Sequence, residues 1–198
     1  MPKGLFIVIE GPDGSGQTTQ AELLAKWFER RGYKVKVTKE PTNSIIGGII
    51  RSVLQNELKI DLRTLALLFA ADRSHHVEKV IKPLLRKGVV VISDRYALST
   101  IVYESLDGLD VEWLKQINSM FPVPDVTIIL DVPGKICVER IKKARFGFEM
   151  FETQEKLEKI RKRYLELKDV FPNTFVVDGK PKPEVVHRKI VEIIKRFL

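Results

Sequence analysis

A glycine-rich loop carries the residues whose types and spacing are best suited to chemistry. Gly11, Gly16 and Thr18 stand at the spacing of the phosphate-binding pattern G-x-x-x-x-G-K-[ST], directly after an apolar segment. In such a loop, glycines let backbone N–H groups converge on phosphate oxygens, and the start of the next helix adds the positive end of its dipole. The residues expected to hold the phosphates of a nucleotide are Gly11, Pro12, Asp13, Gly14, Ser15, Gly16, Gln17, Thr18 and Thr19.

Gln17 departs from this pattern, because it stands where the pattern has lysine. A glutamine amide donates hydrogen bonds but brings no positive charge. Where nothing compensates, the loss of a preorganised charge beside a transferring phosphoryl group costs on the order of 10²–10³ in rate. A plain turn between a strand and a helix is the structural alternative. The remaining matches and their strand–loop–helix context favour phosphate binding.

An acidic and a basic residue follow a second apolar segment, Val89–Ser93. Asp94 is a candidate ligand of Mg²⁺ or of its water shell, together with the hydroxyl of Thr18. Arg95 is able to clamp a phosphate through two hydrogen bonds. The alternative is that Asp94 caps the following helix and that Arg95 pairs with it.

Phe69 and Arg73 are four residues apart on a predicted helix, so they share one helix face. A phenylalanine there can stack on a nucleotide base while the arginine donates hydrogen bonds to the edge of the base. The residues alone leave another interpretation open. Leu65 and Leu68 form a core stripe with Phe69, and Arg73 can simply pair with an acid. Tyr103, on the next helix, is a core residue when it is considered alone.

Short apolar segments alternate with amphipathic helical patterns along the whole chain. The predicted strands are Leu5–Ile9, Lys34–Thr38, Val89–Ser93, Val126–Leu130 and Thr174–Val177. The predicted helices are Gln17–Arg31, Ile45–Leu54, a helix capped by Asp61 that runs to Leu85 with a bend before Pro83, Ala97–Ser105, Val111–Met120, Lys135–Ala144, Gln154–Lys168 and Pro183–Arg196. This alternation predicts an α/β fold with a five-stranded parallel sheet, helices on both faces, and ligands at the carboxyl ends of the strands. No repeat or linker divides the chain, which predicts a single domain over residues 1–198.

Composition excludes several classes of protein. The 198 residues include 34 Lys+Arg and 26 Asp+Glu, a net charge of +8 that is compatible with nucleic acid, a membrane surface or an anionic small substrate. Acidic residues interleave the basic clusters on helical patterns, so a solvated helix surface is the simpler explanation. Neither a membrane-spanning run nor a signal peptide is evident. A single cysteine, Cys137, excludes an intrachain disulfide, and with three scattered histidines it argues against a zinc site. We expect a soluble, cytoplasmic protein without nucleic-acid or membrane partners.

Five segments in a fixed order resemble the thymidylate kinase (dTMP kinase) family of P-loop nucleoside monophosphate kinases. They are IEGPDGSGQTTQ, TKEP, LLFAADRSHHVEKVIKPLL, VVVISDRYALSTIVYE and PDVTIILDV. The resemblance extends over essentially the whole chain, and the order of the segments is far more specific than the loop alone. It implies a P-loop NTPase fold with a short lid at about residues 144–153. It also implies Mg²⁺-dependent transfer of the ATP γ-phosphate to dTMP, giving dTDP and ADP for dTTP biosynthesis, by a homodimer.

The same resemblance implies roles for residues around the phosphates. Asp13 is expected to lie beside the sugar 3′-hydroxyl and phosphate of the acceptor, and Arg95 to contact that phosphate. With Gln17, these two residues are the candidate catalytic residues. Lys39, in the TKEP segment, and Arg51, in the following helix, stand at basic positions that can help to hold phosphate.

For the nucleoside, the resemblance makes Phe69 the residue that stacks on thymine and Arg73 its hydrogen-bonding partner. Ser99 and Tyr103 are expected to shape the deoxyribose pocket. Tyr103 is also a candidate for excluding a ribose 2′-hydroxyl.

Several cations that are common in the family are missing from this chain. Besides Gln17, Gly14 stands where other members have arginine in the loop, and Met150 stands where many have a lid arginine. The residues that could supply the charge are Arg140, Lys142, Lys143 and Arg145. Two alternatives therefore stay open: a nucleotide-binding protein with weak or no kinase activity, and a kinase for another nucleotide acceptor.

Overall fold

The fold is built on one parallel β-sheet, in a computed structural model that describes residues 4–144 and 153–198. Its strands are β1 Phe6–Glu10, β2 Val35–Lys39, β3 Val90–Asp94, β4 Val126–Asp131 and β5 Thr174–Asp178. They are arranged in the order β2-β3-β1-β4-β5, so that β1 lies between β3 and β4. The five predicted strands are confirmed, each to within one residue at either end.

Helices connect the strands, as parallel pairing requires. They are α1 Gln17–Glu29, α2 Ile45–Leu54, α3 Leu62–His76, α4 Lys82–Arg86, α5 Ala97–Leu106, α6 Val111–Asn118, α7 Gly134–Ala144, α8 Gln154–Glu166 and α9 Pro183–Ile194. A π-helical turn, Val77–Ile81, joins α3 to α4, and a 3₁₀ turn, Lys195–Phe197, follows α9. Where a bend was predicted before Pro83, the structure has this π-helical turn, and Pro83, which has no N–H to donate, follows in the first turn of α4.

Two helical layers cover the two faces of the sheet. Ile7 and Ile9 of β1 pack with buried residues of α1 and α9, including Leu24, Phe28 and Ile190. The alternate residues of β1 point to the opposite layer, where they meet the π-helical turn and the start of α5. This two-sided burial explains why β1 is apolar at consecutive positions. The predicted arrangement of helices on both faces is confirmed.

Two further observations concern the predicted lid and membrane spans. The lid falls mainly on residues 145–152, which lie outside the described residues, as do Arg145 and Met150. In the described part of the chain, no helix combines the length and the apolarity needed to cross a bilayer.

Candidate active site

The phosphate-binding loop lies between the carboxyl end of β1 and the first turn of α1. Gly11, Gly14 and Gly16 all have positive φ angles, of 148°, 79° and 102°, which residues with a side chain rarely adopt. At Gly14 there is also no room, because a Cβ atom would lie 2.6 Å from the Cys137 carbonyl oxygen of α7. The close approach of α7 explains why this loop has no arginine at position 14.

Gln17, the first residue of α1, is turned into the loop. Its side chain is buried, and Nε2 donates a hydrogen bond to the Gly11 carbonyl oxygen at 2.8 Å. The Ser15 N–H donates to the Pro12 carbonyl oxygen at 3.0 Å. Gln17 therefore closes the loop from inside, without adding a charge to it.

Ser15 provides a test of whether the loop fits phosphate. Its hydroxyl oxygen is buried and has no hydrogen-bond partner among the described residues. A buried polar atom without a partner costs free energy unless something else satisfies it. An anionic oxygen at the mouth of the loop would accept a hydrogen bond from this hydroxyl. The loop is therefore suited to the phosphates of a nucleotide.

Thr18 and Asp94 come together from α1 and β3. The Thr18 hydroxyl donates to Asp94 Oδ2 at 2.6 Å. Asp94 therefore accepts a hydrogen bond from the loop residue Thr18. It does not cap α5, as the alternative interpretation predicted. A hydroxyl and a carboxylate are hard oxygen ligands of the kind that Mg²⁺ prefers. This pair fits such an ion.

Arg95 follows β3 in a left-handed conformation, with φ of 71°. For a residue other than glycine, this conformation costs about 1–2 kcal/mol. Two hydrogen bonds hold it in place: the Arg95 N–H donates to the Ile9 carbonyl oxygen at 3.0 Å, and the Ser93 hydroxyl donates to the Arg95 carbonyl oxygen at 2.7 Å. The backbone is therefore fixed where the side chain enters the site.

The Arg95 guanidinium contacts three of the other predicted acceptor residues. It donates to Asp13 Oδ1 at 2.6 Å, to Ser99 Oγ at 3.0 Å and to the Tyr103 hydroxyl at 3.2 Å. Its ion partner is therefore Asp13, not Asp94. The Asp13 side chain is 51% exposed and that of Arg95 is 17% exposed. The Arg95 guanidinium is therefore a partly exposed cation next to the phosphate-binding loop.

Sequence reasoning missed Glu10 and Tyr164, which complete this cluster. Tyr164, on α8, accepts a hydrogen bond from Arg95 at 3.2 Å and donates one to Glu10 at 3.2 Å. Glu10 is fully buried, and burial raises its pKa to about 7, although the Ser99 hydroxyl and Arg95 act in the opposite direction. The signal available in the sequence was Glu10 itself, an acidic residue that directly follows the apolar residues of β1.

Arg73, in α3, forms a second and fully buried cluster. Its Nε donates to Glu40 Oε2 at 2.9 Å, and its other nitrogens donate to Thr100 Oγ1 at 3.0 Å and to Asn118 Oδ1. Glu40 Oε1 is also hydrogen-bonded to His76 Nδ1, at 2.9 Å. Arg73 does pair with an acid, as the sequence left open. Glu40 and Thr100 lie in the TKEP and VVVISDRYALSTIVYE segments, but nothing in those segments gave them a role, and Asn118 lies in none of the five segments.

The remaining predicted substrate residues lie outside both clusters. Phe69 is half-buried on α3 and belongs to none of the core clusters of the described residues. Lys39 is exposed at the end of β2, in register with Asp94 of β3. Arg51 donates to the carbonyl oxygen of Thr42, in the loop that leads to α2.

Among the cations considered for the missing lysine, Arg140 of α7 contacts the phosphate-binding loop. It donates to the Ser15 carbonyl oxygen at 3.1 Å, and to the carbonyl oxygens of Gly179 and Lys180 at 2.9 and 3.0 Å. Lys142 and Lys143 are exposed on the same helix.

A parallel sheet whose central strand leads into a phosphate-binding loop, with an acid and an arginine after the neighbouring strand, is the architecture of P-loop kinases. The sequence profile of the thymidylate kinase family matches residues 9–190. The chain is 46% identical to a probable thymidylate kinase of Pyrococcus horikoshii, over 99% of this chain and 98% of the relative. It is 41% identical to a probable thymidylate kinase of Methanocaldococcus jannaschii, over 100% of this chain and 99% of the relative. The chain belongs to the thymidylate kinase family, which confirms the predicted family and the P-loop fold.

Proposed function

We propose that this chain transfers the γ-phosphate of ATP to dTMP, giving dTDP and ADP. The observation that carries the proposal is the contact between Arg95 and Asp13, because it joins the arginine assigned to the acceptor phosphate to the loop assigned to the donor phosphates. The acceptor phosphate is already anionic, so the reaction needs no strong general base. Phosphoryl transfer then depends on positioning and on stabilising negative charge, which is what loops and arginines supply.

The donor side is assigned to the loop and to the start of α1. The residues that hold the ATP phosphates are Gly11, Pro12, Asp13, Gly14, Ser15, Gly16, Gln17, Thr18 and Thr19. The oxygens of Thr18 and Asp94, which lie 2.6 Å apart, would hold Mg²⁺. When bound, this ion neutralises charge on the phosphate oxygens. Gln17 keeps the loop closed through its bond to Gly11.

The acceptor side is assigned to the Arg95 cluster. Arg95 binds the phosphate of dTMP, and that phosphate replaces Asp13 as its ion partner. Because the Asp13 side chain is half-exposed, it can turn towards the sugar of dTMP at little cost. Ser99 and Tyr103, which both touch the Arg95 guanidinium, then border the deoxyribose.

The base is assigned to the helix face of Phe69 and Arg73. Phe69 stacks on thymine, for which its half-buried ring outside the core is suited. Arg73 is assigned to the base edge; its guanidinium is 0% exposed and held by Glu40, so the side chains that cover it must move when the base binds. Lys39 and Arg51 add positive charge on the β2 side of the site.

Arg140 is assigned the compensating charge on the donor side. The partners given above are carbonyl oxygens, which hold the guanidinium without cancelling its charge. Arg140 contacts the Ser15 carbonyl oxygen of the loop, in which Gln17 supplies no positive charge. Replacing Arg140 by methionine should raise the KM for ATP more than the KM for dTMP in steady-state kinetics.

The function is tested by ADP release from MgATP with a panel of monophosphate acceptors. We expect saturable turnover with dTMP and weaker turnover with dUMP or dGMP. Arg95→Met is the matched control, because it should lower the dTMP-dependent kcat/KM by roughly 10²–10³. Saturable dTMP binding without ADP release would favour the nucleotide-binding alternative. A preference for dUMP or dGMP would favour another acceptor.

We further propose that the chain works as a single kinase domain and as a homodimer in the cytoplasm, without nucleic-acid or membrane partners. Exposed apolar side chains around α2 and α3 support a dimer: Ile45 is 86% exposed, while Leu54 and Leu67 are each 50% exposed. Light scattering after size exclusion should give twice the 22.7 kDa chain mass. Leu67→Lys should shift that mass towards the monomer if this surface is the interface.

A further inference from the structure

Glu10 caps a helix that it does not belong to. It is the last residue of β1 and is fully buried. Its Oε1 accepts from the Tyr96 N–H at 3.0 Å and from the Ser99 N–H at 3.3 Å. These groups lie at the start of α5, where Tyr96 provides no side-chain cap of its own. The carboxylate therefore fixes the N-terminus of α5, immediately after Arg95.

The other oxygen of Glu10 reaches Arg95 through two hydroxyl groups. Oε2 accepts from Ser99 Oγ at 2.5 Å and from the Tyr164 hydroxyl at 3.2 Å. The same two hydroxyl oxygens accept from one nitrogen of the Arg95 guanidinium, at 3.0 and 3.2 Å. The two hydroxyl oxygens also lie 2.8 Å from each other, so Glu10, both hydroxyls and the Arg95 guanidinium form one continuous hydrogen-bond network. Glu10 is thereby linked to the Arg95 guanidinium through both hydroxyls.

We infer that Glu10 is a positioning residue for acceptor binding, which holds the Arg95 guanidinium in the orientation that receives the dTMP phosphate. This inference rests on the proposed function of Arg95. Glu10 directly precedes Gly11, so the strand that leads into the donor loop also orients the acceptor arginine. Donor and acceptor sites are thus aligned by one buried side chain.

Glu10→Gln tests this role, because it keeps the shape of the side chain but replaces one acceptor oxygen with a donor. The amide cannot accept at both positions that Glu10 serves. We expect kcat/KM for dTMP to fall by ~10–100-fold, as when residues that orient a ligating group are changed. The KM for ATP should stay within about twofold, because the wild-type donor loop keeps its contacts. If Glu10 only capped α5, Glu10→Gln would lower the free energy of unfolding but would not lower kcat/KM for dTMP selectively.

Glu104→Gln is the matched control. Glu104 lies on α5, is 3% exposed, and its Oε2 has no hydrogen-bond partner among the described residues. Its replacement should leave both substrates' kinetic constants close to those of the wild type. An equal loss in Glu104→Gln and Glu10→Gln would overturn the inference.

A double-mutant cycle with Arg95→Lys asks whether Glu10 acts through Arg95. Residues in one network give non-additive effects, so Glu10→Gln should add little in the Arg95→Lys background. Additive losses, or a folded Glu10→Gln enzyme with normal kcat/KM for dTMP, would contradict the inference. If Glu10→Gln does not fold, Tyr164→Phe removes one of the two bridges, and normal dTMP kinetics there would also contradict it. Absence of dTMP turnover in the wild type would instead refute the proposed function.

Discussion

Arg95 and Arg73 are the two arginines compared in the candidate site, and they are held in opposite ways. Arg73 is 0% exposed and is bound by Glu40, whose side chain is 3% exposed. Arg95 is 17% exposed, and its ion partner Asp13 is 51% exposed. A buried pair with extra hydrogen bonds is expensive to break, whereas a half-exposed pair exchanges its partner readily. The comparison indicates that the Arg73 cluster is a fixed frame and that the Arg95 cluster is the exchangeable part of the site.

Glu40→Ala should give the largest loss of stability, because it leaves the Arg73 charge buried without its ion partner. Breaking a buried pair in this way costs about 3–5 kcal/mol. Chemical denaturation of the variant and of the wild type measures the difference in the free energy of unfolding. The double variant Arg73→Met/Glu40→Gln should recover part of the loss, since neither charge then remains. A loss below ~1 kcal/mol in Glu40→Ala would show that the cluster is not a fixed frame.

Arg95→Met should produce the opposite result, with a large loss of activity and a small loss of stability. We expect kcat/KM for dTMP to fall by roughly 10²–10³, as on removal of a charge that stabilises the transition state. The free energy of unfolding should change by less than about 1 kcal/mol, since the pair with Asp13 is partly exposed. Steady-state kinetics and denaturation of one preparation give both values. A variant that lost stability but kept its activity would reverse the comparison.

Glu10 makes the stability of the Arg95 region depend on pH. Burial raises its pKa from 4.5 to about 7, so the folded protein binds this proton more tightly than the unfolded chain does. Its contribution to stability is therefore present below pH 4.5 and is lost as the pH rises through about 7. The loss is on the order of 3 kcal/mol by proton linkage.

The measurement is the free energy of unfolding of wild type and Glu10→Gln at a series of pH values. The difference between the two curves isolates Glu10 from the other titrating groups. The wild type should lose stability relative to Glu10→Gln as the pH rises. Parallel curves would show that the Glu10 carboxyl does not titrate in this range.

Gln17→Lys should have the smallest effect. A lysine at this position is able to donate to the Gly11 carbonyl oxygen as Gln17 does, while adding a charge beside the phosphates. We expect kcat to be unchanged or raised. Gln17→Met is the control, because it keeps the length of the side chain, loses the donor and should raise the KM for ATP. A large fall in kcat for Gln17→Lys would show that the site is organised around a neutral residue here.

Local patterns in the sequence were sufficient for the strands, for the glycine-rich loop, and for the meeting of Thr18 with Asp94. Each of these follows from a short motif and from the rule that strand ends converge in a parallel sheet. Glu10 and Tyr164 are 154 residues apart along the chain, and their contact depends on how α8 packs against α5 and β4. The frame around Arg73 likewise joins residues from α3, α5 and α6, and no local pattern specifies such a meeting.

The exchange of Asp13 for the acceptor phosphate on Arg95 is tested most directly by calorimetric titration with dTMP and with thymidine. The wild type should bind dTMP at least ~10-fold more tightly than thymidine, because a charge-assisted hydrogen bond to phosphate contributes about 1.5–3 kcal/mol. Arg95→Met should bind the two ligands with nearly equal affinity. An undiminished preference for dTMP in Arg95→Met would contradict the assignment of Arg95 as the acceptor-phosphate ligand.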